Sequence, residues 1–247
     1  MRLLNAWTFE IKEFMGSDSE IYAMLSHTWE TEEVTFADFR ASSIPGPAGS
    51  MNGFKKIIGH CEKARMEGYD WIWIDTCCID KSSSAELSEA INSMFHWYEN
   101  AGVCYVYLSD VKSDEIPALA DSSFRKSRWF TRGWTLQELI APQEVVFLAA
   151  DWEEIGSRWE LSQIMSEITN IDEKVLKDPS RTVEFSSAQR MSWASMRKTT
   201  RIEDQAYSLL GIFNVQMPLL YGEGSNAFKR LQIEVLNSSN DSSLLAW

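Results

Sequence analysis

Apolar runs and apolar stripes alternate along the first 150 residues. Ile21-Tyr22-Ala23-Met24-Leu25 is a short continuous apolar run that ends in Ser26-His27-Thr28-Trp29, the pattern of a buried strand with polar groups at its carboxyl end. Residues 30–50 are acidic, then rich in Ser, Pro and Gly, and read as a long loop. Residues 53–68 repeat apolar positions at helical spacing (Phe54, Ile57, Ile58, Cys61, Ala64) and close on Gly68. Trp71-Ile72-Trp73-Ile74 is a second strand, ending in Asp75 and Thr76. Ser83-Ser84-Ala85-Glu86 fits a capping box, and the helix behind it carries Leu87, Ile91, Met94, Phe95 and Tyr98 on one stripe before Gly102. Val103 to Leu108 is a third strand, ending at Ser109-Asp110, and Val145-Val146-Phe147-Leu148 is a fourth.

This alternation predicts a parallel sheet with helices on both faces. Ligands of such sheets bind outside the carboxyl ends of the strands. Ser26, His27, Trp29, Asp75 and Asp110 gather at that edge. After Asp151 the strand signal fades. Helices are expected over 158–170 and 187–197, and again from a capping box at Thr200-Arg201-Ile202-Glu203. A last helix with Ala227, Phe228, Leu231 and Val235 follows the Gly222-Glu223-Gly224 turn. Residues 1–150 thus read as an α/β core and residues 151–247 as a helical extension packed on it. No linker, internal repeat or low-complexity tract separates them.

The densest chemistry lies in Ser127-Arg128-Trp129-Phe130-Thr131-Arg132-Gly133-Trp134-Thr135-Leu136-Gln137-Glu138-Leu139-Ile140-Ala141-Pro142. Gly133 and Pro142 bracket a short helix on which Trp134 and Glu138, four residues apart, share a face. Two readings stand: a core Trp with a Glu paired to a surface Arg, or an aromatic and a carboxylate holding a flat cationic ligand. Convergence on the sheet edge favours the second.

Composition narrows the partners. A formal net charge of −13 excludes a general nucleic-acid binder and an anionic-membrane binder. Arg125, Lys126, Arg128 and Arg132 form a local basic cluster, either a solvated charge run or a patch for an anion. No apolar run reaches membrane-spanning length and no signal peptide is visible, so a cytoplasmic protein is expected. Cys61, Cys77, Cys78 and Cys104 lack paired spacing and are expected as reduced, buried thiols. A nucleophile built from His27 with Cys77 or Cys78 is a weaker possibility. A metal site from His27, Asp75, Cys77 and Asp80 has no recognised spacing, and none is expected. No phosphate-cradling glycine loop is present.

Tyr22-Ala23-Met24-Leu25-Ser26-His27-Thr28-Trp29, Trp73-Ile74-Asp75-Thr76-Cys77-Cys78-Ile79-Asp80-Lys81, Arg132-Gly133-Trp134-Thr135-Leu136-Gln137-Glu138-Leu139 and Tyr221-Gly222-Glu223-Gly224 resemble the heterokaryon-incompatibility (HET) domain of filamentous fungi. Ala188-Gln189-Arg190-Met191-Ser192-Trp193-Ala194 and Ser243-Leu244-Leu245-Ala246-Trp247 fit it as well. The resemblance implies a cell-death effector domain, joined in longer proteins to nucleotide-binding or repeat domains. That family is in turn similar to Toll/interleukin receptor (TIR) domains, whose first strand ends in Ser-His and whose Trp-Cys-x-x-Glu-Leu signature resembles Trp134 to Leu139. Thr135 departs from that signature, and the helical half has no TIR counterpart.

What this implies is a flavodoxin-like or TIR-like α/β fold: a parallel sheet of about four to five strands flanked by helices, with a C-terminal α-helical appendage. The implied activity is NAD+ glycohydrolase, with NAD+ as substrate and no other cofactor. Glu138 would be catalytic. Ser26, His27, Trp29, Asp75, Arg128, Arg132 and Trp134 would bind the substrate, with Arg128 and Arg132 at the pyrophosphate. Self-association on activation is expected. The alternative is a signalling module that acts by assembly without catalysis.

Overall fold

The computed structural model describes residues 1–14, 20–41, 51–239 and 241–246. Among them seven strands form one mixed sheet: β1 (Arg2–Asn5), β2 (Ile11–Glu13), β3 (Tyr22–His27), β4 (Trp71–Ile74), β5 (Val103–Tyr107), β6 (Val145–Leu148) and β7 (Glu154–Ser157). The order is β2-β1-β4-β3-β5-β6-β7. The middle four strands are parallel, as the alternation of runs and stripes predicts. β1, β2 and β7 add antiparallel edges, which enlarges the four to five strands expected. All six residues of β3 are buried, so the strand shows no alternation: both faces of the sheet are covered.

Ten helices follow in chain order among the described residues: α1 (Phe36–Ala41), α2 (Asn52–Met66), α3 (Ser84–Glu99), α4 (Ser123–Lys126), α5 (Thr135–Ile140), α6 (Ser162–Thr169), α7 (Glu173–Lys177), α8 (Ser187–Ser192), α9 (Asp204–Tyr207) and α10 (Asn226–Ser238). None is long and apolar enough to cross a membrane.

Side-chain parity assigns the two faces. Met24 lies beside Trp73 and Cys104, and Trp73 meets Tyr98 of α3 edge to face at 5.9 Å. Leu25 lies beside Ile74 and Tyr105, and Tyr105 meets His60 of α2 at 5.8 Å. So α3 and α2 cover opposite faces. Because side chains alternate along a strand, Ser26 belongs to the α3 face and His27 to the α2 face. That single step in parity sends the two residues to different partners.

The carboxyl half packs back on this core. The 3-10 turn Gly211–Phe213 sits on α3, where a Cβ on Gly211 would run into the Phe95 ring. Arg158 is buried and donates to the carbonyls of Leu139, Pro142 and Gln143 at 2.6–2.8 Å, satisfying the carboxyl end of α5.

Three local expectations need revising. α1 stands where a long loop over 30–50 was expected, and residues 42–50 lie outside the described residues, as does Trp247. Thr200 does not cap a helix: α9 starts at Asp204 with Glu203 before it, and Glu203 instead accepts from Gly222 N at 2.8 Å and Gly224 N at 3.0 Å. The turn at 222–224 offered Glu203 two backbone donors that a capping box could not match. At α3, Ser83 accepts from Glu86 N, but the Glu86 carboxylate turns to Asp80 N and Arg2.

Candidate active site

α5 is short, and its position depends on what holds its amino end. Thr135 Oγ1 lies 2.7 Å from the Trp129 carbonyl and 2.9 Å from that of Arg132. Buried Arg197 donates to Thr135 Oγ1 at 2.8 Å and to the Arg132 carbonyl at 3.0 Å. Just upstream the backbone is bonded to the carboxyl half: Lys198 N donates to Thr131 O at 2.7 Å, and Gly133 N donates to Lys198 O at 2.8 Å. Glycine is required there, since a Cβ at 133 would collide with the Thr199 methyl.

With α5 so placed, Leu136, Leu139 and Ile140 enter the core, while Glu138 and Trp134 turn to a cavity of about 420 Å³. Glu138 is 8% exposed. Its Oε2 accepts from Ser26 Oγ, and Ser26 Oγ accepts from the Trp129 indole nitrogen at 2.7 Å. Burial pushes the Glu138 carboxyl up to about 7; the Ser26 hydrogen bond pulls it down, Asp75 pushes it up, and Arg132 and Arg197 pull it down. Tyr98, buried and facing Glu138, is raised well above its ordinary value by burial and by that carboxylate.

Asp75 stands at the end of β4 on the same cavity. Trp29 Nε1 donates to it at 3.0 Å, Lys81 Nζ lies at 3.3 Å, and His27 Nε2 at 3.2 Å. Burial raises this carboxyl, but the Lys81 charge and the His27 hydrogen bond outweigh burial and hold it well below the usual carboxylate range. Lys81 also sits 3.6 Å over the Trp29 ring. On the other face Lys56, paired with Glu33, reaches His27 Nδ1 at 3.0 Å. Lys56 has only donors, so the His27 proton is on Nε2, directed at Asp75.

The opposite wall comes from the carboxyl half. Asp204 accepts from the Tyr221 hydroxyl at 2.9 Å and is hydrogen-bonded by Trp134; burial outweighs both bonds and raises its carboxyl. Arg201 lies 4.4 Å over the Tyr221 ring. Arg132 and Thr200 also line the cavity, and its apolar lining includes Ile79, Leu87, Ile91 and Met94.

The expected site residues divide. His27, Trp29, Asp75, Arg132, Trp134 and Glu138 line one cavity. Ser26 sits behind Glu138. Arg128 faces a neighbouring cavity of about 720 Å³, where it pairs with Glu30 and approaches Asp110 at 3.9 Å. Tyr98, Trp129, Lys81, Arg197, Arg201, Asp204 and Tyr221 were not singled out from the sequence as site residues. Lys81, Trp129 and Tyr221 stood inside quoted motifs without being given a role, and the other four carried no site motif.

The thiols lack the setting of a reactive nucleophile. All four cysteines are unbridged and buried. The Cys78 hydrogen bond and burial raise the Cys77 thiol well above its ordinary value, and burial pushes Cys61 up to about 12. Both His27 ring nitrogens are already engaged. Among the described residues no group of three His, Cys, Asp or Glu could hold a metal.

Comparison with known proteins agrees with the motifs. The family model described as Heterokaryon incompatibility protein (HET) matches residues 22–125. Over 221 residues the chain is 48% identical to the vegetative incompatibility protein HET-E-1 of Podospora anserina, covering 87% of this chain and 16% of that protein. The chain therefore spans well under a fifth of that relative's length. No solved structure matches it.

Proposed function

Since this chain belongs to the heterokaryon-incompatibility family, we propose that it serves as a cell-death effector in vegetative incompatibility, and that its chemistry is hydrolysis of NAD+ at the nicotinamide–ribose bond. The observation that carries the reading is Glu138: a buried carboxylate, fixed by Ser26, on a cavity with aromatic walls and unpaired arginines. The resemblance of Trp134 to Leu139 to the TIR signature points the same way.

In this reaction the glycosidic electron pair leaves with the nicotinamide nitrogen, so a cationic ring departs as a neutral pyridine. The ribose carbon gains oxocarbenium character. Water then adds to it and loses a proton, giving ADP-ribose. A carboxylate beside that carbon stabilises the developing charge, as in glycoside hydrolysis. Glu138 acts in its ionised form. With a carboxyl at about 7 a sizeable fraction is ionised at neutral pH, and a bound cationic nicotinamide raises that fraction. Asp75, held ionised by Lys81, accepts hydrogen bonds from ribose hydroxyls. Trp29 and Trp134 supply faces for the rings.

The relative is far longer than the aligned region, in line with an effector segment joined to further domains. A cytoplasmic site of action and self-association on activation complete the proposal. The test is nicotinamide release from NAD+ by wild type and Glu138→Gln, each free and artificially clustered. Release that is lost in a folded Glu138→Gln protein supports hydrolysis. No release in either state, with cell killing retained by Glu138→Gln, overturns it and leaves an assembly module.

A further inference from the structure

Cations around the Glu138 cavity fall into two groups. Lys81 is committed to Asp75, and Lys56 behind His27 is committed to Glu33. Arg132 and Arg201 line the same cavity, yet neither guanidinium has a carboxylate within ion-pair distance among the described residues. This is unusual in a chain of net charge −13 with three carboxylates, Asp75, Glu138 and Asp204, on that cavity. Asp75 is already paired with Lys81, and neither arginine closes on Glu138 or Asp204, which leaves both guanidinium groups to meet an anion from outside.

The two arginines come from different halves of the chain and are brought together by backbone. The parallel bridge between Arg132 and Lys198 fixes residues 198–201 against the amino end of α5. The Tyr221 ring then supports Arg201 from below at 4.4 Å, and Asp204 holds the Tyr221 hydroxyl.

We infer that Arg132 and Arg201 form a diphosphate subsite, and that the ligand of this cavity is a nucleoside diphosphate ester. Arg201, from the helical half, takes the place that the sequence alone suggested for Arg128. Planar guanidinium groups bind phosphate oxygens in pairs, and two of them lining one cavity match two phosphates in series. The subsite sits beside Glu138, so the diphosphate anchors the ligand while the sugar reaches the carboxylate. This assignment rests on the proposed function for the identity of the sugar, but the anion subsite stands on its own geometry.

The experiment is calorimetric titration of the whole chain with ADP and, separately, with nicotinamide riboside, which lacks phosphate. Wild type binds ADP, and Arg201→Ala and Arg132→Ala each weaken it by about tenfold or more. Nicotinamide riboside binding changes less than twofold in both. Arg181→Ala, which removes a surface arginine paired with Glu184, leaves ADP binding unchanged and controls for net charge. Arg201 is exposed, so its variant reports binding even if Arg132→Ala disturbs the fold. Failure of wild type to bind ADP, or equal ADP binding by wild type and Arg201→Ala, overturns the subsite. NAD+ cleavage alongside unchanged ADP binding overturns the subsite and leaves hydrolysis standing. Loss of ADP binding in the variants, with no nicotinamide released by wild type, supports the subsite and overturns hydrolysis.

Discussion

The Trp129 indole nitrogen lies 2.7 Å from Ser26 Oγ, so that hydroxyl accepts from Trp129 and has its single proton left for Glu138. Trp129 is fully buried, and it sets the direction of a proton on a strand 103 residues away. The carboxylate is thereby held in one orientation toward the cavity.

Removing that proton changes the pH profile. The Ser26 hydrogen bond lowers the Glu138 carboxyl against the upward push of burial. Ser26→Ala therefore moves the rise of activity to higher pH, by about a factor of ten in proton concentration. Trp129→Phe moves it the same way but less, because the hydroxyl remains and loses only its orientation. Nicotinamide release measured from pH 5.5 to 9 checks both; an unmoved profile with reduced amplitude is the result expected of a merely structural role.

Glu138 also gives stability a pH signature. Its carboxyl titrates at about 7 in the fold against an ordinary value of 4.5, so the folded chain holds the proton more tightly than the unfolded chain. Its contribution is greatest below about pH 4.5 and is lost as pH rises to about 7, on the order of 3 kcal/mol. Glu138→Gln removes this dependence. In urea unfolding at pH 5 and pH 8, wild type should lose more stability across that interval than the variant.

Gly133→Ala should separate α5 from the carboxyl half. The new methyl meets the Thr199 side chain across a backbone bridge that cannot widen without losing the Lys198 hydrogen bonds. A loss of about 1–3 kcal/mol is expected, with a raised KM for NAD+ because Arg132 and Arg201 move apart. Thermal melts and steady-state kinetics on the same preparation read the two effects.

Cys77→Ser and Cys78→Ser should leave nicotinamide release intact. Both thiols are buried, the Cys77 thiol is held well above its ordinary value, and neither has a free imidazole as base. Each hydroxyl placed in that apolar site lowers stability by about 1–3 kcal/mol. Activity lost in a variant that still melts cooperatively would restore the thiol reading.

Much of the core was legible because its signals are strong and local. The runs at 22–25, 71–74, 103–107 and 145–148 are buried on both faces and could be little else. The edge strands were not legible: β2 has three residues, two of them exposed, and β7 contains Gly156 and no apolar run. They exist because neighbouring strands offer ladder partners, which is tertiary information. Within the site, the carboxyl-edge rule gathered His27, Trp29, Asp75 and Glu138 in advance. Arg128 and Arg132, grouped in the sequence as one basic cluster, part in the fold: a 3-10 turn at Arg128–Thr131 and the bridge at Arg132 lie between them. Each points into its own cavity. Arg201, Asp204 and Tyr221 carried no such signal, because nothing in a stripe says which distant surface it will cover.

The bridge between Arg132 and Lys198 also has a consequence for synthesis. Glu138 leaves the ribosome well before Arg201, Asp204 and Tyr221 do, and at roughly 5–20 residues per second the wall they build follows seconds later. A nascent chain halted ahead of that wall has its carboxylate but no enclosed chamber around it. The chamber is therefore closed last, by the segment that carries Arg201, Asp204 and Tyr221.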